Sequence, residues 1–432
     1  MKIDKPENSN YAATVVRLKN IVPLEGCDNV VGTTIFGFQA VIGKDHKVGD
    51  IGIVFPAETQ LSDEHCYHNN LYRHSDGNAD HGQKGYIEDN RRIRAQKFRG
   101  HVSNALFMSL DSLAWTRVNL SDLVEGDEFD HLGGKEICRK YMPKRNPMRN
   151  QPAQVKRFTR VDAKHLPEHY DTENFWKNRD KVDPEKEVIV TQKIHGTSIR
   201  IANTIVKRKL SLVERVLVKL GVAVQLTEHD YVFGSRKVIK DANNPNQMHY
   251  YEADIWSQEG KKLEGLLPEN YVVYAELIGY TPDGAEIQKN YSYGIADRTS
   301  ELYIYRIAII NEQGAITDLS WDQVVEFCAQ SGLKSVPEMW RGKLKDLVIE
   351  NFIDKRFFEE GYRHCLGLGE NKDIVDEGVC VRADGLRPYI LKAKSPKFLE
   401  HETKLLDTGV EDLESSQSAH EDDVALAANI TA

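Results

Sequence analysis

A chain of 432 residues, 28% charged and 40% hydrophobic, has room for two or three domains with their own cores and the composition of an ordinary globular protein. No apolar run approaches the ~20 residues of a bilayer span, Met1–Pro6 lacks the apolar stretch of a secretory signal, and the six cysteines form no CxxC pair, so neither a membrane-spanning nor a disulfide-stapled class is expected. The net charge of −9 argues against a nucleic-acid partner only until its placement along the chain is read.

The first 130 or so residues read as β-rich. Short apolar or alternating runs (Ala12–Leu18, Val30–Phe36, Phe38–Ile42, Ile51–Phe55) are punctuated by Gly26, Gly32, Gly37, Gly43 and Gly49. Closely spaced strands with glycine turns suggest a small barrel, of which the OB-fold is one type. Cys66–Gly85 is polar and reads as a long loop. Its histidines and cysteine do not fit the spacing of paired zinc ligands. Residues 139–160 then carry eight Lys/Arg and no acid. With Pro143, Pro147 and Pro152 they read as a basic linker suited to phosphate contact.

A second region alternates strands and helices. Strand candidates are Glu187–Gln192, Thr197–Ala202, Tyr271–Leu277, Leu302–Ile310, Gly378–Arg382 and Tyr389–Ala393. Val213, Val216, Leu217 and Leu220 recur at helical spacing before Gly221, and Leu210–Leu220 is read as a packing element. Ser320 and Gln323 fit a capping box at the start of a further helix. Residues 401–432 hold eight acids and one lysine, a charge of −7, so the rest of the chain carries only −2. Acidic, Ser/Ala-rich and without aromatics, this tail is expected to be disordered.

The chemistry concentrates at a few places. In Thr191-Gln192-Lys193-Ile194-His195-Gly196-Thr197-Ser198 a lysine ends an apolar strand beside a glycine turn, which would aim Lys193 into a cleft. Lys392 and Lys394 lie two apart on one strand and so share a face; paired lysines facing inward need anions or carboxylates to meet them. Glu276 puts a carboxylate within an apolar strand, and Glu377 follows Asp376 at the start of another.

In this order the segments resemble the motifs of the covalent nucleotidyltransferase superfamily of ATP-dependent ligases and capping enzymes. Lys193–Gly196 is similar to motif I, Ser235-Arg236 to motif Ia, and Glu276 to motif III. Tyr305-Arg306 is similar to motif IIIa, Glu377-Gly378 to motif IV, and Lys392/Lys394 to motif V. His195, where DNA ligases and capping enzymes have aspartate, resembles the RNA-ligase-2 branch. A preceding OB-like domain, with Arg94–Gly100 and His169–Asn174, resembles the Deinococcus-type RNA ligase.

The resemblance implies an α+β fold: an N-terminal OB-like β-barrel (1–137), a basic linker (138–165), a nucleotidyltransferase (ATP-grasp-like ligase) domain of antiparallel sheets flanked by helices (166–400), and the acidic tail (401–432). It implies an ATP-dependent RNA ligase sealing 3′-OH/5′-phosphate breaks, nicks in duplexes above all, with RNA at the 3′-OH side. Lys193 would be the nucleophile, activated by nearby cations and a partly dry cleft. Lys392 and Lys394 would stabilise the α-phosphate. Glu377 and Glu276 would meet Mg²⁺ or Mn²⁺. Gln192 (glutamate in the RNA-ligase-2 branch), Ile194, His195, Gly196, Arg236, Glu276 and Tyr305 would line the ATP site, with Tyr305 stacked on adenine. A monomer in the cytoplasm of a bacterium or phage-infected host, without a membrane partner, is expected. A GTP-dependent capping guanylyltransferase and an inactive nucleic-acid-binding protein are the alternatives.

Overall fold

The computed structural model describes residues 3–142, 160–170, 172–241, 251, 253–359, 361–369 and 374–408. Residues 143–159 of the expected linker and 409–432 of the expected tail lie outside the described residues. The chain divides into two compact units. Among the described residues the first comprises 3–142, 173–181 and 393–408; the second comprises the remainder.

In the first unit, β1 (Ala13–Arg17), β2 (Val30–Ile35), β3 (Phe38–Gly43), β4 (Ile51–Pro56), β5 (Ala105–Ser109) and β6 (Glu128–Phe129) match the expected runs where those were predicted. Strands β6-β1-β4-β5 form an antiparallel sheet, and β2-β3 with Val22–Pro23 form a separate three-stranded one. Strand alternation lets the first sheet bury both faces. Ala13, Val15, Ile53 and Phe55 join one core cluster, whereas Val16, Leu18 and Val54 join another with Ile35, Ala40, Ile42 and Phe107. The β2–β3 turn needs left-handed backbone at both central positions, Phe36 (φ 49°) and Gly37 (φ 76°), the geometry that matches strand twist in two-residue hairpins. No closed ring of strands forms among the described residues.

The stretch read as a loop from Cys66 opens with helix α1 (Asp63–His68), capped by Ser62, which accepts the His65 N–H. Cys66 and His65 are buried there, and burial among Phe55 and Trp115 pulls the His65 imidazole down to about 4. Residues 401–407 continue the helix Pro396–Asp407. Its inner side is held by a buried network in which Glu58 accepts both Arg92 Nε (2.6 Å) and Nη2 (2.7 Å) and the Thr403 hydroxyl (2.7 Å), while Arg92 Nη1 also reaches Asp407 at 3.0 Å.

The second unit contains β7 (Glu187–Lys193), β8 (Thr197–Lys207), α2 (Leu212–Lys219), β9 (Thr227–Gly234), β10 (Tyr271–Gly279), β11 (Ser300–Ile310), α3 (Trp321–Ser331), β12 (Glu338–Lys343), β13 (Gly378–Ala383) and the first four residues of β14 (Tyr389–Lys394). A smaller sheet runs β12-β7-β13-β14. A larger one runs Ile239–Lys240, β9, β8, β10, β11, Ile316–Asp318. The larger sheet is covered on both faces: Val272 and Tyr274 pack with Ala202, Val206, Val232 and Ala308, while Val273, Ala275 and Leu277 are buried on the other side. The predicted capping box of α3 is present, and Gly332 ends the helix in the left-handed region. Helix α2 also forms, capped by Ser211 and Glu214, but none of its eight residues is buried. The packing role expected for it is therefore corrected: its apolar side chains face solvent.

Candidate active site

Strands β7 and β8, adjacent in sequence, belong to different sheets. The segment Ile194-His195-Gly196 is therefore a crossing from one sheet to the other and not a hairpin turn. Three contacts fix it. Tyr293 Oη accepts the His195 N–H at 2.7 Å, Glu276 Oε1 accepts the Gly196 N–H at 3.0 Å, and Gln288 Nε2 donates to the Gly196 carbonyl at 2.9 Å. Gly196 is required by space: a Cβ would stand 2.4 Å from the Leu277 carbonyl oxygen. Ile194 is buried beside them.

Lys193, the last residue of β7, pairs across the sheet with Gly378. That register brings Glu377 to the lysine: Oε2 lies 2.8 Å from Lys193 Nζ and 3.5 Å from His195 Nδ1. The Glu377 side chain is 4% exposed and that of Lys193 19%, so the pair sits in a partly dry recess with a solvent opening. An ion pair this close favours the ammonium, whereas attack requires the neutral amine. The group in direct contact with the Lys193 amine is thus a carboxylate, while the expected cations Lys392 and Lys394 lie on β14.

Glu276, on β10, is 9% exposed and takes a second contact from the Ser198 hydroxyl at 3.5 Å. The Cys380 thiol, pushed up to about 11 by desolvation, feels Lys193, Glu377, Lys392 and Glu276 in turn. These four expected residues thus converge on one neighbourhood. On β14 the buried residues are Leu391 and Ala393, so Lys392 and Lys394 share the opposite face as expected. Lys394 groups with the first unit, where it pairs with Glu402 at 3.3 Å and lies over the Phe398 ring.

Arg236 and Tyr305 reach the same end of the larger sheet through strand register. Arg200 pairs with Gly234, so Arg236 extends toward the level of Ser198, which pairs with Glu276. Tyr303 also pairs with Glu276, and Tyr305 lies at the bulge just beyond. The Tyr305 hydroxyl bonds His169, and its ring packs on the core. Gln192 is 1% exposed; its amide exchanges bonds with the Leu366 backbone (2.8 and 2.9 Å) and donates to Asp376.

No group of three or more His, Cys, Asp or Glu side chains among the described residues could hold a metal by itself. Mg²⁺ is nevertheless held by as few as one or two carboxylates when substrate phosphates complete its coordination. Glu377 and Glu276 fit that arrangement.

Residues 186–394 match the family model described as RNA ligase. Over that segment the chain is similar to the RNA ligase family. No curated protein sequence matches the chain. The fold is shared with Naegleria gruberi RNA ligase: the structure with PPi aligns with a TM-score of 0.58 at 18% identity, covering 91% of this chain and 98% of that one. A mutant of that ligase with ATP and Mn aligns at 0.56 and 18%, covering 92% and 99%. Another mutant, with AMP and Mn, aligns at 0.56 and 18%, covering 90% and 98%.

Three residues of the matched segment escaped the sequence reading. Asp376 is 1% exposed, accepts from Gln192 and from Phe357 N at 3.4 Å, and has its carboxyl raised to about 7 by burial. Its place before Glu377-Gly378 was visible, but its partner is 184 positions away. Tyr293 holds His195 from a left-handed backbone (φ 53°), which is uncommon for a bulky residue. Tyr291 stands edge-on to the His195 ring with centroids 4.8 Å apart. Neither tyrosine has a periodic signature.

Proposed function

We propose that the protein is an ATP-dependent RNA ligase that seals 3′-OH/5′-phosphate nicks in duplexes through lysyl-AMP. The observation that carries this reading is Lys193 at a rigid sheet-to-sheet crossing, its amine 2.8 Å from a buried carboxylate, inside a segment similar to the RNA ligase family. In the first step Lys193 Nζ attacks the α-phosphorus of ATP. A P–N bond forms, and pyrophosphate leaves with the bonding electrons. A 5′-phosphate oxygen then displaces the lysine to give an adenylylated end. Finally a 3′-hydroxyl attacks that 5′-phosphorus, AMP departs, and the strand is joined.

Glu377 orients Lys193 and must release it for the attack. The His195 and Gly196 backbone contacts keep the crossing in place while the amine reacts. Lys392 and Lys394 would steady charge on the α-phosphate. Gln192, Ile194, Gly196, Arg236, Glu276 and Tyr305 would line the nucleotide, with Gln192 acting through the Leu366 and Asp376 contacts that fix its amide. The Naegleria ligase structures with ATP and Mn, and with AMP and Mn, support ATP and a divalent ion, which Glu377 and Glu276 would hold with the triphosphate. Such an ion neutralises phosphate charge. An OB-like role for residues 1–137, and phosphate contact by basic residues of 138–165, supply the nucleic-acid surface in this reading, with residues 166–400 as the adenylyltransferase domain and the protein acting as a monomer.

A chase experiment tests it. Protein pre-loaded with labelled AMP and freed of ATP is mixed with a nicked duplex bearing RNA at the 3′-OH. Label should pass to the 5′-phosphate end, and a sealed strand should follow. Label that stays on the protein, or joined products only from single strands, would contradict nick sealing.

A further inference from the structure

Helix α2 lies in the 19-residue connection between β8 and β9. At 100° per residue, Leu212, Val216, Leu220, Val213 and Leu217 form a stripe about 140° wide. An apolar stripe on a short helix ordinarily faces the core. Here it faces out: Leu212 is 78% exposed, Val213 69%, Val216 55% and Leu220 72%. The opposite side is tied to the chain by Glu214, which bonds Arg208 and the Ser211 N–H. Gly221 (φ 80°) stops the helix, and Val222 N returns to the Leu217 carbonyl at 3.0 Å. A helix of this length is marginal alone, so it is held by its caps while its apolar surface stays uncovered by the described residues.

The charge left unneutralised around the stripe is positive: Glu214, as near to Leu217 on the helical wheel as Arg215 is to Leu212, is paired with Arg208. Arg215 and Lys219 border it and form no ion pair among the described residues, and Lys209 is exposed at the near end, where Lys207 pairs with Asp162 at 3.5 Å. Strand β8 runs 11 residues from the crossing to Lys207, or roughly 33 Å at 3.3 Å per residue. The helix is therefore distant from Lys193 and takes no part in the chemistry.

Three occupants can be compared. A duplex would satisfy the cations but leave the exposed Leu212, Val213, Val216 and Leu220 with nothing to bury them. A second copy would set like charges against each other, and a face roughly 12 Å long and 10 Å across falls well short of the ~800 Å² per partner of a stable dimer. An outward apolar stripe bordered by Arg and Lys is the pattern of helices that lie in an anionic lipid interface, with stems buried and charges at the headgroups. We infer that α2 is a peripheral anchor that places this protein on anionic membrane surfaces. The expectation of no membrane partner rested on the lack of a spanning segment, which such an anchor does not need.

The test is co-sedimentation of the full chain with vesicles of phosphatidylcholine alone or mixed with phosphatidylserine, at low and high salt. Binding is expected only to the mixed vesicles and should weaken with salt. The triple variant Leu212→Gln, Val216→Gln, Leu220→Gln should lose it at least tenfold. Arg215→Gln and Lys219→Gln should each weaken it about fivefold. All variants should keep wild-type labelling from ATP and wild-type affinity for a nicked duplex, since these side chains are exposed and remote from Lys193. Hydrogen exchange at 210–222 should slow only when mixed vesicles are present. No binding by the wild type, or equal binding by the triple variant, overturns the inference. Slow exchange without vesicles would mean that another part of the chain covers the stripe, and loss of duplex affinity would make it a nucleic-acid contact; either result also overturns it.

Discussion

Replacing Gly196 with alanine puts a methyl group 2.4 Å from the Leu277 carbonyl oxygen, 2.6 Å from Ile278 Cγ2 and 3.0 Å from Glu276 Cγ. Normal contact between such atoms is ~3.5 Å, so the crossing and β10 must separate by about 1 Å. Strand β10 is paired along its length by β8 and β11, and the surrounding core leaves it little room. The segment carrying Lys193 moves instead, stretching the 3.0 Å bond from Gly196 N–H to Glu276. Overpacking of this kind costs about 1–3 kcal/mol, and a 1 Å misplacement of a reacting group costs about 10²-fold in rate. Gly196→Ala should therefore remain folded, melt a few degrees lower, and take up label from α-labelled ATP about 100-fold more slowly in a single turnover. Wild-type labelling by the folded variant would refute the reasoning. So would a rate loss that appears only where the melt shows unfolding.

Three further outcomes follow from particular contacts. Glu58→Ala strips a guanidinium that is 1% exposed of its two-point partner and should cost about 3–5 kcal/mol in denaturant unfolding; a loss below about 1 kcal/mol would show that Asp407 and the Thr403 carbonyl, which accepts from Arg92 Nη2 at 3.3 Å, suffice. Asp376, raised to about 7, keeps its proton in the folded state after the unfolded chain has lost it. The native state then binds more protons between about pH 4 and 7, so this residue's contribution falls as pH rises through that window. The stability difference between Asp376→Asn and wild type should consequently grow in the variant's favour across it, and parallel profiles would contradict the assignment. Tyr293→Phe leaves the His195 N–H without its 2.7 Å acceptor and should cost about 1–3 kcal/mol with slower labelling; unchanged melts and rates would remove Tyr293 from the site.

The parts of the fold that rest on local pattern were legible. Strands β7, β10, β11, β13 and β14 are apolar runs, and α3 announces itself by Ser320 and Gln323. Strand β9 was not, because Thr227-Glu228-His229-Asp230 has no apolar alternation; it forms by pairing eight residues with β8, which in turn carries β8 five residues past its predicted end. Lys193 and Glu377 were read from ordered motifs, but the contact between them depends on register across 184 residues. Gln192 and Asp376 show the same limit. For α2, periodicity revealed the stripe and not the direction it faces, which is set by how the connection leaves the sheet.

The central claim is that Lys193 becomes covalently adenylylated. The direct measurement is incubation of wild type and Lys193→Ala with α-labelled ATP or GTP and Mg²⁺ or Mn²⁺, followed by denaturation and peptide mapping. The account predicts label from ATP on the peptide containing Lys193, and none in the variant. Label from GTP alone, label on another residue, or no label in folded protein freed of bound AMP would contradict it.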